Sequence, residues 1–341
     1  MAELFDISSN PNSVFAFGSG GGTPTRTPFA PILPTGTPRE NTIAEAGVVV
    51  SGAVPTITPT PTLGVPWGDF PGPTRGSAIE IPPPVPEINF PESVINILLL
   101  GSDDAPHRYG HRTDTIMILS LDPDSAKAML LSVPRDLFVY IPGRSMDRIN
   151  AAFNFGGIEM IDQTILYNFG IDIDHWVQAN FIGFEAAVDH LGGIDVQVGG
   201  HLYDECGGVY YDYYPGTYHM DGHVALCYAR MRKTSNDFDR IRRQQEVLKA
   251  MFQKVLTLDG LTKLPQLYGE FNKWVDSDVG LGDLLPLIPL ASALASGDAG
   301  FNGSSIDSSL VIHWTMPISG AQVLLPDREK IQEHLKGIYE Y

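Results

Sequence analysis

Between Val94 and Gly143 the chain places four apolar runs in close succession: VINILLLGSD, DTIMILSLDP, KAMLLSVPRD and LFVYIPG. Each ends in Gly, Asp or Pro. Runs of that kind, continuous rather than alternating, read as strands buried on both faces. The turn residues at their ends make neighbours of them, so the early sheet is expected to be a meander. A sheet buried on both faces needs helices on each side. Candidates follow at once. Residues 150–170 carry Phe153, Ile158, Ile161, Ile165, Leu166 and Phe169 at helical spacing. Residues 181–191 form a short helix stopped by Gly192 and Gly193. A helix from Asp237 places Phe238, Ile241, Leu248, Phe252 and Val255 on one face. Further helices are expected over 261–275, 281–295 and 327–340. WVQANF, IDVQV, ALCYARMR and LVIHWTMPI read as strands, and YYDYYPGTYHMDG as a tyrosine-rich loop. The alternation predicts an α/β fold with a central mixed sheet between helices.

Residues 1–90 are a different kind of sequence. Sixteen of the 27 prolines lie there, with Thr-Pro repeats and the glycine run Gly18–Gly22. Such a stretch buries too little apolar surface to offset its ordering entropy, and it is expected to be a disordered linker or stalk. That leaves 91–341 as the folded domain. The apolar stretch Ala46–Val54 is well short of the about 20 residues that span a bilayer, and it lacks a basic flank. The formal charge of −18 argues against non-specific nucleic-acid binding. The two cysteines, Cys206 and Cys227, fit no metal-binding or redox spacing and could be buried thiols or one disulfide.

Against this acidic background, YARMRKTSNDFDRIRRQQ (228–245) gathers six of the 22 basic residues into eighteen positions. Tyr228–Met231 reads as a strand end, 233–236 as a turn and Asp237 as a helix N-cap. On a strand Arg230 and Arg232 share a side. On the helix Arg240, Arg243 and Gln244 share a face. Two arginine pairs converging on one phosphate would exploit the planar guanidinium fork. A solvated helix start with ordinary ion pairs fits the same run. Three strand ends also put charge into loops: Ser102-Asp103, Arg112-Thr113-Asp114 and Pro134-Arg135-Asp136. Asp103 and Asp114 suit Mg²⁺, which takes carboxylate oxygens, waters and substrate phosphate. They equally suit turns and caps.

Seven blocks taken in order, NILLLGSD, RTDTIMIL, LLSVPRDLFVYIPG, RINAAFNFGG, VDHLGGIDV, PGTYHMDGHVALCYARMR and DFDRIRRQQ, resemble the LytR–CpsA–Psr family of cell-envelope proteins. The resemblance runs from about Asn96 to Gln245. It implies a three-layer α/β/α fold with a long apolar lipid pocket. It implies a phosphotransferase that moves a glycopolymer from a polyprenyl-pyrophosphate carrier to a peptidoglycan acceptor, assisted by Mg²⁺, outside the cytoplasm at the membrane surface. By motif the metal ligands would be Asp103 and Asp114. Arg112, Arg135, Arg148, Arg230, Arg232, Arg240 and Gln244 would bind pyrophosphate, with Asp237 as base and Arg135 and Arg230 assisting catalysis. Arg148 stands where the family often has Lys, keeping the charge but not a side chain able to lose its proton. The family usually places a membrane helix before the domain, where this chain has its Pro/Thr stretch. In an oxidising compartment Cys206 and Cys227 are expected to be bonded.

Other readings use the same residues. A Mg²⁺-dependent phosphatase or pyrophosphatase would take water as acceptor. A binding module would hold an isoprenoid phosphate without turnover and need no base. A DNA-binding regulator is disfavoured by the acidic balance and the lack of a helix-turn-helix signal.

Overall fold

The computed structural model describes residues 68–103, 113–233, 237–257, 265, 268–317 and 319–339. The three longest apolar runs form the centre of a six-stranded sheet. Strands β1 (Ile95–Ser102), β2 (Thr113–Asp122) and β3 (Lys127–Ser132) pair antiparallel, as the expected meander. Strand β6 (His175–Asn180) runs parallel to β1, and β12 (Gly300–Ser305) runs parallel to β3. The two-residue β11 (Asp276–Ser277) closes the far edge, so the sheet is mixed. The fourth run departs from expectation. Strand β4 (Phe138–Ile141) leaves the sheet and pairs with β5 (Ser145–Arg148) in a separate hairpin. All four of its residues are buried, and Asn168 donates to the Tyr140 carbonyl at 2.8 Å.

Alternate strand residues serve opposite layers, as the pleat requires. On one face Leu98, Leu100, Ile116, Ile118 and Leu131 pack against helix α1 (Ala152–Phe169) and the terminal helix α6 (Arg328–Ile338). On the other, Ile97, Met117, Leu119 and Leu130 meet Leu248 and Phe252 of helix α4 (Asp237–Thr257) and Leu290 of α5 (Ile288–Ser296). The result is the three-layer α/β/α architecture. Helix α1 is broken at Gly156 and Gly157, the latter at φ 64° and ψ −147°, which only glycine adopts readily.

Residues 68–90, assigned to the linker on composition, are packed on the domain. The Val85 and Ile88 amides donate to the carbonyls of Tyr167 and Gly170. Buried Tyr140 and Tyr167 each donate a hydroxyl to a proline carbonyl, Pro71 and Pro82, at 2.7 Å. Proline has lost its amide donor but keeps its carbonyl, so a proline-rich strap is well suited to partner buried hydroxyls. Phe70, Ile79 and Ile81 add apolar contacts. The folded unit thus begins before Pro91. Residues 1–67 lie outside the described residues.

The region after β6 departs furthest from the sequence expectation. Helix α2 (Phe181–His190) and β7 (Ile194–Val198) form as expected. The tyrosine-rich stretch is two strands rather than a loop. Strand β8 (Leu202–Cys206) pairs with β9 (Val209–Tyr213), and β10 (Gly216–Met220) pairs with β7. ALCYARMR is a helix, not a strand: α3 spans Gly222–Arg230, and its N-cap Asp221 accepts from the Val224 amide at 2.9 Å. Its buried positions, Gly222 and the unbroken run from Ala225 to Ala229, go round the helix, so tertiary packing and the Asp221 cap override the strand propensity of Val224 and Tyr228. Two glycines let this region close up. A Cβ on Gly222 would stand 2.2 Å from the Glu185 carbonyl oxygen, and one on Gly183 would stand 2.0 Å from that of Trp274. Among the described residues no helix is long and apolar enough to cross a membrane.

Candidate functional site

Because β1 and β6 are parallel, their C-terminal ends reach the same edge of the sheet. Antiparallel β2 starts there, and β3 ends there. This edge is where α/β sheets place their sites. It opens into a cavity of about 770 Å³ whose wall includes Gly101 near the end of β1, Asp103 just after it, Asp114 and Thr115 of β2, Arg135 after β3, and Asn180 ending β6. The pairing slips at Gly101–Ser102, and a Cβ on Gly101 would stand 3.0 Å from Thr115 Cβ. Asp103 and Asp114 thus flank paired strand ends and line one wall.

The opposite wall comes from α3, α4 and the β8–β9 hairpin. Arg230 closes α3, where a cation is favoured by the helix carbonyls, and its guanidinium lies 4.3 Å from the Phe181 ring centroid. Met231 turns the chain extended, so Arg230 and Arg232 reach the cavity from a helix end and a linker rather than from one strand face. The Arg232 amide donates to Asp204 Oδ2 at 2.7 Å, and the Lys233 amide to the same oxygen at 3.2 Å. Burial pushes the Asp204 carboxyl up, but these amides, that of Glu205 and the Lys233 charge outweigh it and hold it below the usual carboxylate range. Arg240 and Gln244 project from the first turns of α4 into the cavity, as their spacing predicted. Arg243 does not join them. It is 1% exposed and donates to the Met231 carbonyl, locking α4 to the end of α3.

An ion-pair relay orders the sheet-side arginine. Arg135 Nη1 donates to Asp114 Oδ1 at 2.7 Å, and its Nε lies 3.4 Å from Asp136 Oδ2. Asp136 also pairs with Arg148 at 3.3 Å, and Arg148 donates to the Gln322 carbonyl. Arg148 therefore stands one ion pair behind the cavity wall and supports Arg135 through Asp136. Arg112 lies outside the described residues. Asp237 begins α4, and its side chain too lies outside them.

Deeper in, the wall turns apolar. Helix α4 shows the gradient along one stripe: Arg240 and Gln244 first, then Val247, Leu248 and Met251, then Phe252 and Val255. The last group lines a second cavity of about 500 Å³, walled by Ile97, Leu119, Leu287 and Leu294 among others. The two cavities share Leu99, Val177, Ala187, Leu248, Met251 and Phe271, so a charged mouth adjoins an apolar trough.

Among the described residues no group of three or more His, Cys, Asp or Glu is placed to hold a metal. Asp103 and Asp114 on the sheet side, in a cavity that also presents arginines, are an all-oxygen, incomplete donor set; Asp204 on the opposite wall is taken up by the Arg232 and Lys233 amides. That suits Mg²⁺ completed by water and phosphate, and it does not suit a zinc or calcium cage.

Sequence reasoning missed Asn180, Phe181 and Asp204 as wall elements; it expected the Cys206–Cys227 bond but not its place beside the cavity. Asn180 caps α2 by accepting from the Gly183 amide at 2.8 Å, and Asn before a helical stretch was the available signal. Cys206 and Cys227 are bonded, with Cα atoms 5.8 Å apart, and both border the cavity. The bond pins the β8–β9 hairpin to α3, so that Asp204 and Arg230 border the same cavity. Asp204 had no sequence signal.

The LytR_cpsA_psr family profile matches residues 80–334, and the chain belongs to that family. It is 33% identical over 211 residues to the polyisoprenyl-teichoic acid–peptidoglycan teichoic acid transferase TagU of Oceanobacillus iheyensis, covering 58% of this chain and 62% of that protein. The chain thus spans less than two thirds of that relative's length. The crystal structure of Bacillus subtilis TagV superposes with a TM-score of 0.63 at 26% identity, over 74% of this chain and 99% of that one. A structure of TagT bound to LI-WTA matches with a TM-score of 0.57 at 25% identity, over 72% and 90% of the two chains.

Proposed function

We propose that this chain is a Mg²⁺-dependent phosphotransferase that moves a glycopolymer from a polyprenyl-pyrophosphate carrier to peptidoglycan, working outside the cytoplasm at the membrane surface. One observation supports this above the rest: Asp103, Asp114, Arg135, Arg230, Arg232, Arg240 and Gln244 border a single cavity that adjoins an apolar trough. A pyrophosphate with a long isoprenoid tail has that same division of polarity. Family membership and the transferase relatives agree with it.

In this reading the carrier's tail lies along α4 in the trough, and its two phosphates sit at the mouth. Arg230, Arg232 and Arg240 hold them from the helix side and Arg135 from the sheet side. Asp103 and Asp114 would hold the metal. When bound, Mg²⁺ supplies charge neutralisation at the pyrophosphate oxygens. Phosphoryl transfer depends mainly on positioning and electrostatics, which fixed guanidinium groups provide. The acceptor hydroxyl oxygen forms a new bond to the sugar-side phosphorus, the phosphoanhydride P–O bond breaks, and lipid monophosphate leaves. The hydroxyl proton passes to a base, for which Asp237 at the start of α4 is the candidate. The test follows release of lipid phosphate from a polyprenyl-pyrophosphate glycan, with and without Mg²⁺ and with peptidoglycan or water as acceptor. Metal-independent turnover would exclude the metal role. Equal release with water alone would make the protein a phosphatase.

A further inference from the structure

The β8–β9 hairpin has two faces with different work. Asp204 and Cys206 line the cavity, and exposed Glu205 reaches its rim. The outward positions of the pleat hold Tyr203, Tyr210 and Asp212, and are extended by His201 and Tyr214 at the open end. Ten large apolar or aromatic side chains stand out as exposed among the described residues; Tyr203, Val209, Tyr210 and Tyr214 are four of them, all in this one small element. Their rings form a connected row. His201 stacks on Tyr214 with centroids 4.5 Å apart and planes 15° from parallel, and Tyr203 lies 5.9 Å from His201 and 6.1 Å from Tyr210. His201 also bonds Asp212 at 2.8 Å, which fixes the ring. Tyr210 and Tyr214 are 61% and 58% exposed, so the two ends of the row meet solvent. Clustered exposed aromatic surface marks an interaction site.

The charge of this face selects the partner. The stretch HLYDECGGVYYDYY (201–214) contains no Lys or Arg, while Asp212 sits among the rings and exposed Glu205 stands at the cavity rim beside them. A polyanion would be repelled. A membrane surface rich in anionic lipid would be repelled too. Rigid aromatic rings beside hydrogen-bond-accepting carboxylates fit an uncharged partner that has both apolar ring faces and many hydroxyl donors. We propose that the outer face of this hairpin binds a neutral, N-acetylated glycan strand, the acceptor strand of the transfer reaction. The identity of the strand as acceptor rests on the transferase reading above. The hairpin's inner face borders the mouth, so a strand on its outer face is held beside the charged site while an anionic donor polymer is kept off it.

The test is titration calorimetry of the full chain with a β-1,4-linked tetramer of N-acetylglucosamine, which involves no turnover. Saturable binding is expected. Tyr210→Ala and Tyr214→Ala should each weaken it by roughly tenfold, the effect of losing one aromatic anchor. Tyr210→Phe should retain it. Thermal melting should be unmoved in the three tyrosine variants, because Tyr210 and Tyr214 are exposed. No binding at millimolar tetramer, undiminished binding in both alanine variants, or preference for a phosphate-rich polymer overturns the proposal. Hairpin-dependent tetramer binding in a protein that transfers nothing would leave this surface standing and remove the transferase reading. Transfer without tetramer binding would do the reverse.

Discussion

The two faces of the central sheet are built from alternate residues of the same strands, yet they end in opposite states. Toward α1 and α6, Leu98, Ile118 and Leu131 are fully buried in a continuous core. Toward α4 and α5, their neighbours Leu99, Met117 and Leu119 border open volume. Protein interiors normally pack to crystal-like density, and unfilled apolar space forfeits dispersion contacts. The closed face supplies the stability that lets the other face stay underfilled. The contrast teaches where to look for each property: stability behind the sheet, and open volume for a ligand in front of it.

The contrast would break first at Asp114. Asp114→Ala should abolish Mg²⁺-dependent release of lipid phosphate while a polyprenyl pyrophosphate still binds, and full activity in that variant would remove the metal assignment. Next come Arg135→Ala and Arg230→Ala, each expected to lower turnover by about 10²–10³, typical of losing one preorganised donor. Urea denaturation should then separate the two faces directly. Leu98→Ala is expected to cost about 2–5 kcal/mol. Leu99→Ala should cost much less and instead weaken binding of a fluorescent isoprenoid phosphate. Equal stability losses would show that the front face is no less structural than the back. Reducing the Cys206–Cys227 bond, which spans 21 positions, should lower stability by roughly 3 kcal/mol on the chain-entropy account. Two freely reactive thiols in protein from an oxidising compartment would contradict it. The smallest effect belongs to Arg242→Ala. Arg242 is exposed on the far side of α4, pairing with Asp239 at 3.7 Å and Glu246 at 4.0 Å, and removing it should change neither rate nor melting temperature appreciably.

The buried sheet was legible because apolar runs such as INILLL leave few alternatives, and the α4 stripe because its period is unambiguous. The strap at 68–90 was illegible because composition counts prolines without knowing that Tyr140 and Tyr167 need their carbonyls. Helix α3 was misread because its strand-forming residues outweigh, in a local reading, the cap at Asp221, and an apolar run buried all round carries no period. Within the site, the residues from strand ends and from α4 were found by position and spacing. Asp204 was not, because its place depends on a disulfide and a hairpin that fix it from a distance. Arg148 was found as a charge, but its distance from the cavity follows from the β4–β5 hairpin leaving the main sheet.

Gly183 and Gly222 fix the gauge of the front wall. Each lets one backbone approach another more closely than any side chain would permit, so α2 is clamped between α3 and the segment at Trp274. A methyl group at either position would act as a spacer, moving Asn180 and Phe181 relative to Arg230 without touching a charged residue. In this chain the two positions therefore work as a ruler: the width of the mouth is set by backbone contact rather than by any charged side chain.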